Sequence, residues 1–310
     1  MKWARGIAGC WLALLPVLLG CADGGAPPAT VSRNGVPVPI SRDMKGQQGP
    51  FPARGFFVIR RPEAWTALWH GQSAPAVDFT TQSVLVALMG QQPTSGFDIT
   101  ISDVRTINQQ VVAYLTEARP TSQETVTPTI SYPYDMVIVP KLEQQVVVVT
   151  ESNAPAMVAV EDEFPGTYSA AGAPGTTVIR TPEAWSQFWL TTIGGTATAP
   201  AVDFTQNMAV AVLAGPQPTT GYTVDIAGIG QENDRLNVHY QIVPPSVGTA
   251  APTVTSPYVV AVVPASPLPI AFQSLAAPAV ASATGEGKTD AVATPVAVQT
   301  VMPSAPTGGK

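Results

Sequence analysis

One stretch of this chain occurs twice. Residues 74–101 read APAVDFTTQSVLVALMGQQPTSGFDITI, and residues 199–226 read APAVDFTQNMAVAVLAGPQPTTGYTVDI, identical at 14 of 28 positions without a gap. Solenoid repeats recur every 20–50 residues or so. Here the two copies start at Ala74 and Ala199, a spacing that suits a duplicated globular domain. Whatever the fold, it has to be built twice.

Each copy has the same internal logic. Asp-Phe leads into an unbroken apolar run, Val84–Met89 or Met208–Leu213. Such a run, rich in Val and closed by a turn residue, suits a strand buried on both faces. Gly90 or Gly215 closes it, and Pro-Thr-Ser-Gly-Phe or Pro-Thr-Thr-Gly-Tyr follows. Proline fixes φ early in that loop, and glycine accepts the positive φ that threonine resists. Alternation then resumes, with Ile99 and Ile101 on one side and Asp98 and Thr100 on the other, as in a half-buried strand. The expectation is strand, tight loop, strand, paired as a hairpin.

Ahead of each copy lies a helix signal, Arg60-Arg61-Pro62-Glu63-Ala64-Trp65 through Trp69, matched by Arg180-Thr181-Pro182-Glu183-Ala184-Trp185 through Trp189. Proline suits the first helical position, glutamate favours the N-terminal dipole, and Thr181 fits an N-cap. The tryptophans, four apart, share one face with Leu68 or Phe188. That face is read as core. Beyond the duplicated stretch, Val111–Glu117 and Leu236–Val243 read as strands, then Pro/Ser/Thr-rich loops, then Met136–Val139 and Val259–Val263 after Pro133-Tyr134 and Pro257-Tyr258. A last strand, Gln145–Thr150 or Leu268–Gln273, closes each unit.

The fold class expected is mostly β (α+β): two tandem homologous β domains, each with one short helix packed on the sheet. The domains span 51–150 and 166–273, joined by a linker, 151–165, and followed by a disordered tail, 274–310. Residues 21–50 carry five prolines and no aromatic, and read as a disordered tether. Before it, Lys2 and Arg5 precede an apolar run that is too short to span a bilayer and ends in Leu18-Leu19-Gly20-Cys21. That pattern resembles a bacterial lipoprotein signal, 1–20. The resemblance implies that Cys21 is lipidated and that the chain sits in the cell envelope, anchored on the non-cytoplasmic side. The other cysteine, Cys10, falls inside the signal, so the mature chain has no disulfide.

The catalytic residue types do not gather. Only His70 and His239 occur, with apolar residues near their places in the other copy, around Leu190 and Leu115. No nucleophile elbow, zinc-protease motif or phosphate-cradling glycine loop appears. Asp78 and Asp203 recur in Val-Asp-Phe and are read as carboxylates accepting backbone N–H bonds at a strand entry. The reading is no enzyme, no cofactor and no metal. A net charge of −6 with 12% charged residues and no basic stripe argues against nucleic acid. The candidate protein-binding loops are Pro93, Thr94, Gly96 and Phe97, and Pro218, Thr219, Gly221 and Tyr222. A turn requires the proline and glycine but not the threonine or the aromatic.

In order and spacing, the Trp-x-x-x-Trp helix, the Val-Asp-Phe entry, the Pro-Thr-x-Gly-aromatic loop and the late Pro-Tyr resemble the C-terminal domain of the protease-complex subunit PrcB family, twice over. The resemblance implies a lipoprotein that binds and stabilises a secreted or surface protease. Pro-Thr-Thr-Gly-Tyr is also similar to a loop of chagasin-type inhibitors of cysteine proteases, with Gln217 and Gln92 where those have Asn. That similarity implies the alternative, a protease inhibitor acting through these loops.

Overall fold

A computed structural model of the chain describes residues 33–276, apart from 70–71, 153, 195–197 and 247. The signal segment, Cys21 and nearly all of the tail lie outside the described residues.

The chain is mostly β. Its first half runs β1 (Val36–Pro37), β2 (Arg42–Gly46), β3 (Arg54–Ile59), α1 (Pro62–Leu68), β4 (Gln82–Met89), β5 (Asp98–Ile107), β6 (Gln110–Ala118), β7 (Tyr134–Pro140) and β8 (Val146–Thr150). The second half runs β9 (Ala156–Met157), β10 (Ala159–Val160), β11 (Asp162–Gly166), β12 (Gly175–Ile179), α2 (Pro182–Phe188), β13 (Asn207–Leu213), β14 (Thr223–Glu232), β15 (Arg235–Val243), β16 (Tyr258–Pro264) and β17 (Ile270–Ser274). Each half is a sandwich of two sheets. In the first, β1-β5-β6-β8 faces β10-β3-β4-β7-β2; in the second, β17-β15-β14-β9 faces β11-β16-β13-β12. A helix covers the outer face of the sheet that holds β4 or β13, so each half is three layers deep.

The unbroken apolar runs are the central strands. β4 pairs with β3 and β7, and β13 with β12 and β16. Val84, Val86 and Leu88 of β4 face the helix side, whereas Leu85 and Ala87 face the second sheet. Burying both sets, at about 2 kcal/mol for each large side chain, is why no polar residue interrupts the run. The helix stripe is core as expected. Trp65, Trp185 and Trp189 are buried, and Trp65 and Trp185 each donate Nε1–H to the carbonyl of Pro75 or Pro200 at 2.8 Å. Those carbonyls belong to the recurring Ala-Pro-Ala-Val-Asp-Phe segment, which is one reason it recurs. Thr181 caps α2 through Ala184 N–H.

Three expectations need correction. First, β4 and β5 do not form a hairpin. β5 pairs with β6 and β1, in the opposite sheet. The Pro-Thr loop is a crossover between the two layers of the sandwich, and the same holds for β13 and β14. Second, residues 33–50 are not tether. β1 pairs antiparallel with β5 and β2 with β7. These are edge strands held by backbone bonds to a sheet that already exists, so they need little apolar surface of their own. Third, 151–165 is not a linker, because it supplies the same two strands to the second domain. β9 pairs with β14 as β1 does with β5, and Asp162 lies opposite Val262 as Arg42 lies opposite Ile138. The repeat therefore begins at β1 and β9. Gly46 and Gly166 mark the correspondence: each lies so close to the ring of Tyr134 or Tyr258 that a Cβ would overlap it.

The strand without a counterpart is β10. It leaves the second domain and adds in parallel to the edge of β3, Ala159 beside Phe56 and Val160 beside Phe57. Arg60, just past β3, is held there by Glu161: Nη2 lies 2.8 Å from Oε2. Arg61 bonds the Asp162 carboxylate and the Glu163 carbonyl, and its guanidinium stacks on Phe164. One apolar cluster runs on from Phe57, Val84 and Met136 through Val160 to Val210, Ile226 and Val259. The two domains share a core.

Candidate functional site

The two candidate loops are built alike. Gln92 and Gln217 form isolated antiparallel bridges with Ser131 and Thr255, and their side-chain amides donate to the carbonyls that end the preceding strands, Met89 at 3.1 Å and Ala214 at 3.0 Å. Ser131 Oγ donates to the Thr94 carbonyl and Thr255 Oγ1 to the Thr219 carbonyl, at 2.8 and 2.9 Å. Each loop is thus laced to the Pro/Ser/Thr-rich loop of its own domain. Gly96 and Gly221 take φ of +88° and +85°, a conformation that favours glycine. A Cβ on Gly221 would stand 2.7 Å from Pro245 Cβ.

Their surroundings differ. Phe97 packs against the inner core of the first domain. Gly221 and Tyr222 instead line a groove of about 950 Å³ at the domain junction. Pro62, Thr66 and Ala67 of α1 form one wall, and Val243, Pro244 and Pro245 form the other, with Tyr258. Pro218 and Thr219 lie on the same loop as Tyr222 but are not part of the lining. Of the candidate residues, then, only Gly221 and Tyr222 meet a cavity that both domains build. It is rich in proline and tyrosine, with Glu63 and Asp225 as its acids.

Beside the groove lies a buried polar group that the sequence did not flag. Glu163 and Gln241 line a cavity of about 30 Å³ together with Asp225, Phe51 and Phe57. One oxygen of Glu163 is fully shielded with no hydrogen bond, as is Gln241 Oε1. Burial, then the charges of Asp225 and Asp162, push the Glu163 carboxyl up to about 8, against the pull of Arg61. A second such acid is Asp135, within the Val-rich β7. Burial, then Asp43 beside it, raise it to about 7, although its carboxylate accepts Ile101 N–H at 2.6 Å and so ties the two sheets together. An acid inside an apolar strand was the available signal for Asp135. Nothing local could flag Glu163, whose surroundings come from both domains.

The recurring aspartates behave as strand-entry residues. Asp78 accepts from Thr80 N–H, Thr80 Oγ1 and Thr81 Oγ1, and Asp203 from Thr205 N–H and Oγ1. These bonds hold both carboxyls below the usual range. His239 is half-buried, with its pKa lowered mainly by burial. In register its place in the first domain is that of Tyr114, not Leu115. His70 lies outside the described residues. Among the described residues no group of His, Cys, Asp and Glu is placed to hold a metal ion, and no helix is long and apolar enough to cross a membrane.

A model of the PrcB C-terminal family matches residues 83–140 and 208–264. Two stretches of the chain, one in each half, thus match the PrcB C-terminal domain. The matched stretches cover β4–β7 and β13–β16, the four strands that hold the Pro-Thr crossover and the late Pro-Tyr. In the first half β1–β3, α1 and β8 lie outside the match, and in the second half β9–β12, α2 and β17 do. No curated protein and no solved structure matches the chain.

Proposed function

We propose that this chain is a non-catalytic envelope lipoprotein that binds a secreted or surface protease and prolongs its activity. The observation that carries the reading is the tandem pair of matches to the PrcB C-terminal domain, a family whose name ties it to a protease complex. The groove at the domain junction is the docking surface in this reading, and Tyr222 its aromatic contact. Cys21 is the lipid-bearing residue, holding the pair at the membrane surface. Several acyl chains anchor far better than one, at about 0.8 kcal/mol for each buried CH₂.

The test is capture from an envelope extract with the purified mature chain, followed by activity assays on the captured protease. A stabiliser extends the half-life of activity and leaves the initial rate alone. An inhibitor acting through the Pro-Thr-x-Gly-aromatic loops lowers the initial rate at stoichiometric amounts. Capture of no protease at all defeats both readings. The anchor is tested separately: Cys21→Ala should shift the chain from the membrane to the soluble fraction, and unchanged fractionation refutes lipidation there.

A further inference from the structure

β3 and β12 are the same strand in the two domains. Each pairs on one side with the central strand of its own sheet, and each leads through an arginine into the Pro-Glu-Ala-Trp helix. Their other edges differ. On β3 that edge is filled by β10, and Phe56 and Phe57 are 0% and 1% exposed. On β12, the last strand in its sheet, the described residues place no neighbour, and Thr176 is exposed.

The arginines tell the same story. Arg60 donates to the carbonyls of Leu142 and Gln144, and Arg180 to the matching carbonyls of Ser266 and Leu268. Arg60 has a further partner, Glu161, which follows β10 directly. Arg180 is exposed, and its remaining described contact is the Met208 thioether. Free sheet edges in natural proteins are commonly blunted by lysine, proline or an inward charge. β12 reads Gly-Thr-Thr-Val-Ile, with none of these and with residues that favour strand.

We propose that the free edge of β12 is a docking site for an extended segment of a partner protein, added in parallel, with two small apolar residues followed by a carboxylate. The chain's own β10 supplies the template: Ala159 and Val160 beside the strand, then Glu161 on the arginine. Backbone bonds to β12 give the affinity, and Arg180 selects the acid. β12 lies at the opposite edge of its sheet from β11, whose Pro165 and Gly166 line the groove. The proposal therefore stands or falls independently of the groove.

The probe is a free peptide with the sequence of residues 155–163, PAMVAVEDE, titrated into the isotopically labelled mature chain. Binding should shift the amide signals of Gly175–Ile179. N-methylation of the peptide backbone at its Val-Ala-Val core should abolish the shifts, and Glu→Gln at the position of Glu161 should weaken binding about tenfold. Arg180→Gln in the chain should remove that preference for the acid. Thr176→Pro and Thr177→Pro cover the two sides of the strand, since neighbouring N–H groups point to opposite neighbours. Whichever keeps the native melting temperature should lose the peptide. No shifts at millimolar peptide, or shifts confined to β3, overturn the proposal. So does binding that appears only in a chain cut after residue 276, which would give the edge to the chain's own C-terminal segment. Self-association abolished by the same proline variant would give it to a second copy and is equally fatal.

Discussion

Arg60 and Glu161 meet across the domain junction, Nη2 to Oε2 at 2.8 Å, with Glu161 only 5% exposed. Glu161 Oε1 also accepts Val146 N–H at 2.6 Å. One carboxylate therefore fastens the end of β3, the start of β8 and the strand arriving from the second domain. Removing one partner of a buried pair leaves the other charge uncompensated, at a cost of roughly 3–5 kcal/mol. Glu161→Ala should lower unfolding stability by about that much in urea titration. Glu161→Gln, which keeps an acceptor for Val146, should lose less. Equal losses would show that the charge at this junction is irrelevant.

Stability should fall as pH rises from 5 to about 8.5. Glu163, raised from 4.5 to about 8, and Asp135, raised from 3.8 to about 7, both bind a proton more tightly folded than unfolded. Their contributions are complete below the unfolded values and are lost as pH climbs through the folded ones. Asp78 and Asp203 act in the opposite sense: their contribution is present above the ordinary carboxylate range and lost on acidification. Glu163→Gln should flatten the alkaline decline and raise the melting temperature at pH 8.5 by several degrees, at roughly 2–4 °C per kcal/mol for a chain of this size. A wild-type curve flat across that window would contradict the raised carboxyls.

Gly221→Ala should destabilise by about 1–2 kcal/mol, since it forces φ of +85° on an L-residue and drives a Cβ to 2.7 Å from Pro245. Gly172→Ala is the control. It meets nothing within 4 Å and should leave thermal melting within about 0.5 kcal/mol of the parent.

The two loop aromatics should separate by phenotype. Phe97→Ala removes a ring packed on the core of the first domain and should cost about 2 kcal/mol of stability with little effect on partner binding. Tyr222→Ala opens the groove wall and should weaken partner binding while melting moves less. The Thr94→Ala, Thr219→Ala double variant should melt like the parent, because the lacing of both loops uses the backbone carbonyls of these residues. Reduced affinity in that variant would make the threonines contacts, whereas unchanged affinity leaves them as scaffold.

The duplicated stretch made the domain count, the strand-rich class and the buried tryptophan stripe legible, because each leaves a periodic pattern within a few residues. Pairing between strands leaves no such trace. Val84–Met89 looks the same whether it turns back on Ile99 or lies in another layer, so the sequence suggests a hairpin where the fold has a crossover. The strands β1, β2 and β9–β11 were missed for the opposite reason: edge strands borrow their order from a sheet already formed, so their composition stays that of a loop. Gly46 and Gly166, each followed far along the chain by Pro-Tyr, were a signal in plain view. Their meaning lies in a contact with Tyr134 or Tyr258 that only the fold creates. Half of the groove was visible as the loop at Tyr222. Its other wall belongs to α1, well over a hundred residues away.

β10 also imposes an order in time. Translation delivers the last strand of the first domain, β8, before Ala159 and Val160, and domains fold broadly in the order in which they are made. Until that segment arrives, the edge of β3 is a raw template with two phenylalanines beneath it, open to any passing strand. The newborn first domain is therefore a ward of its successor, and its quality control extends beyond its own sequence. A stall or a proteolytic cut near residue 155 would leave a sheet that is finished by every local measure yet still adhesive along one side.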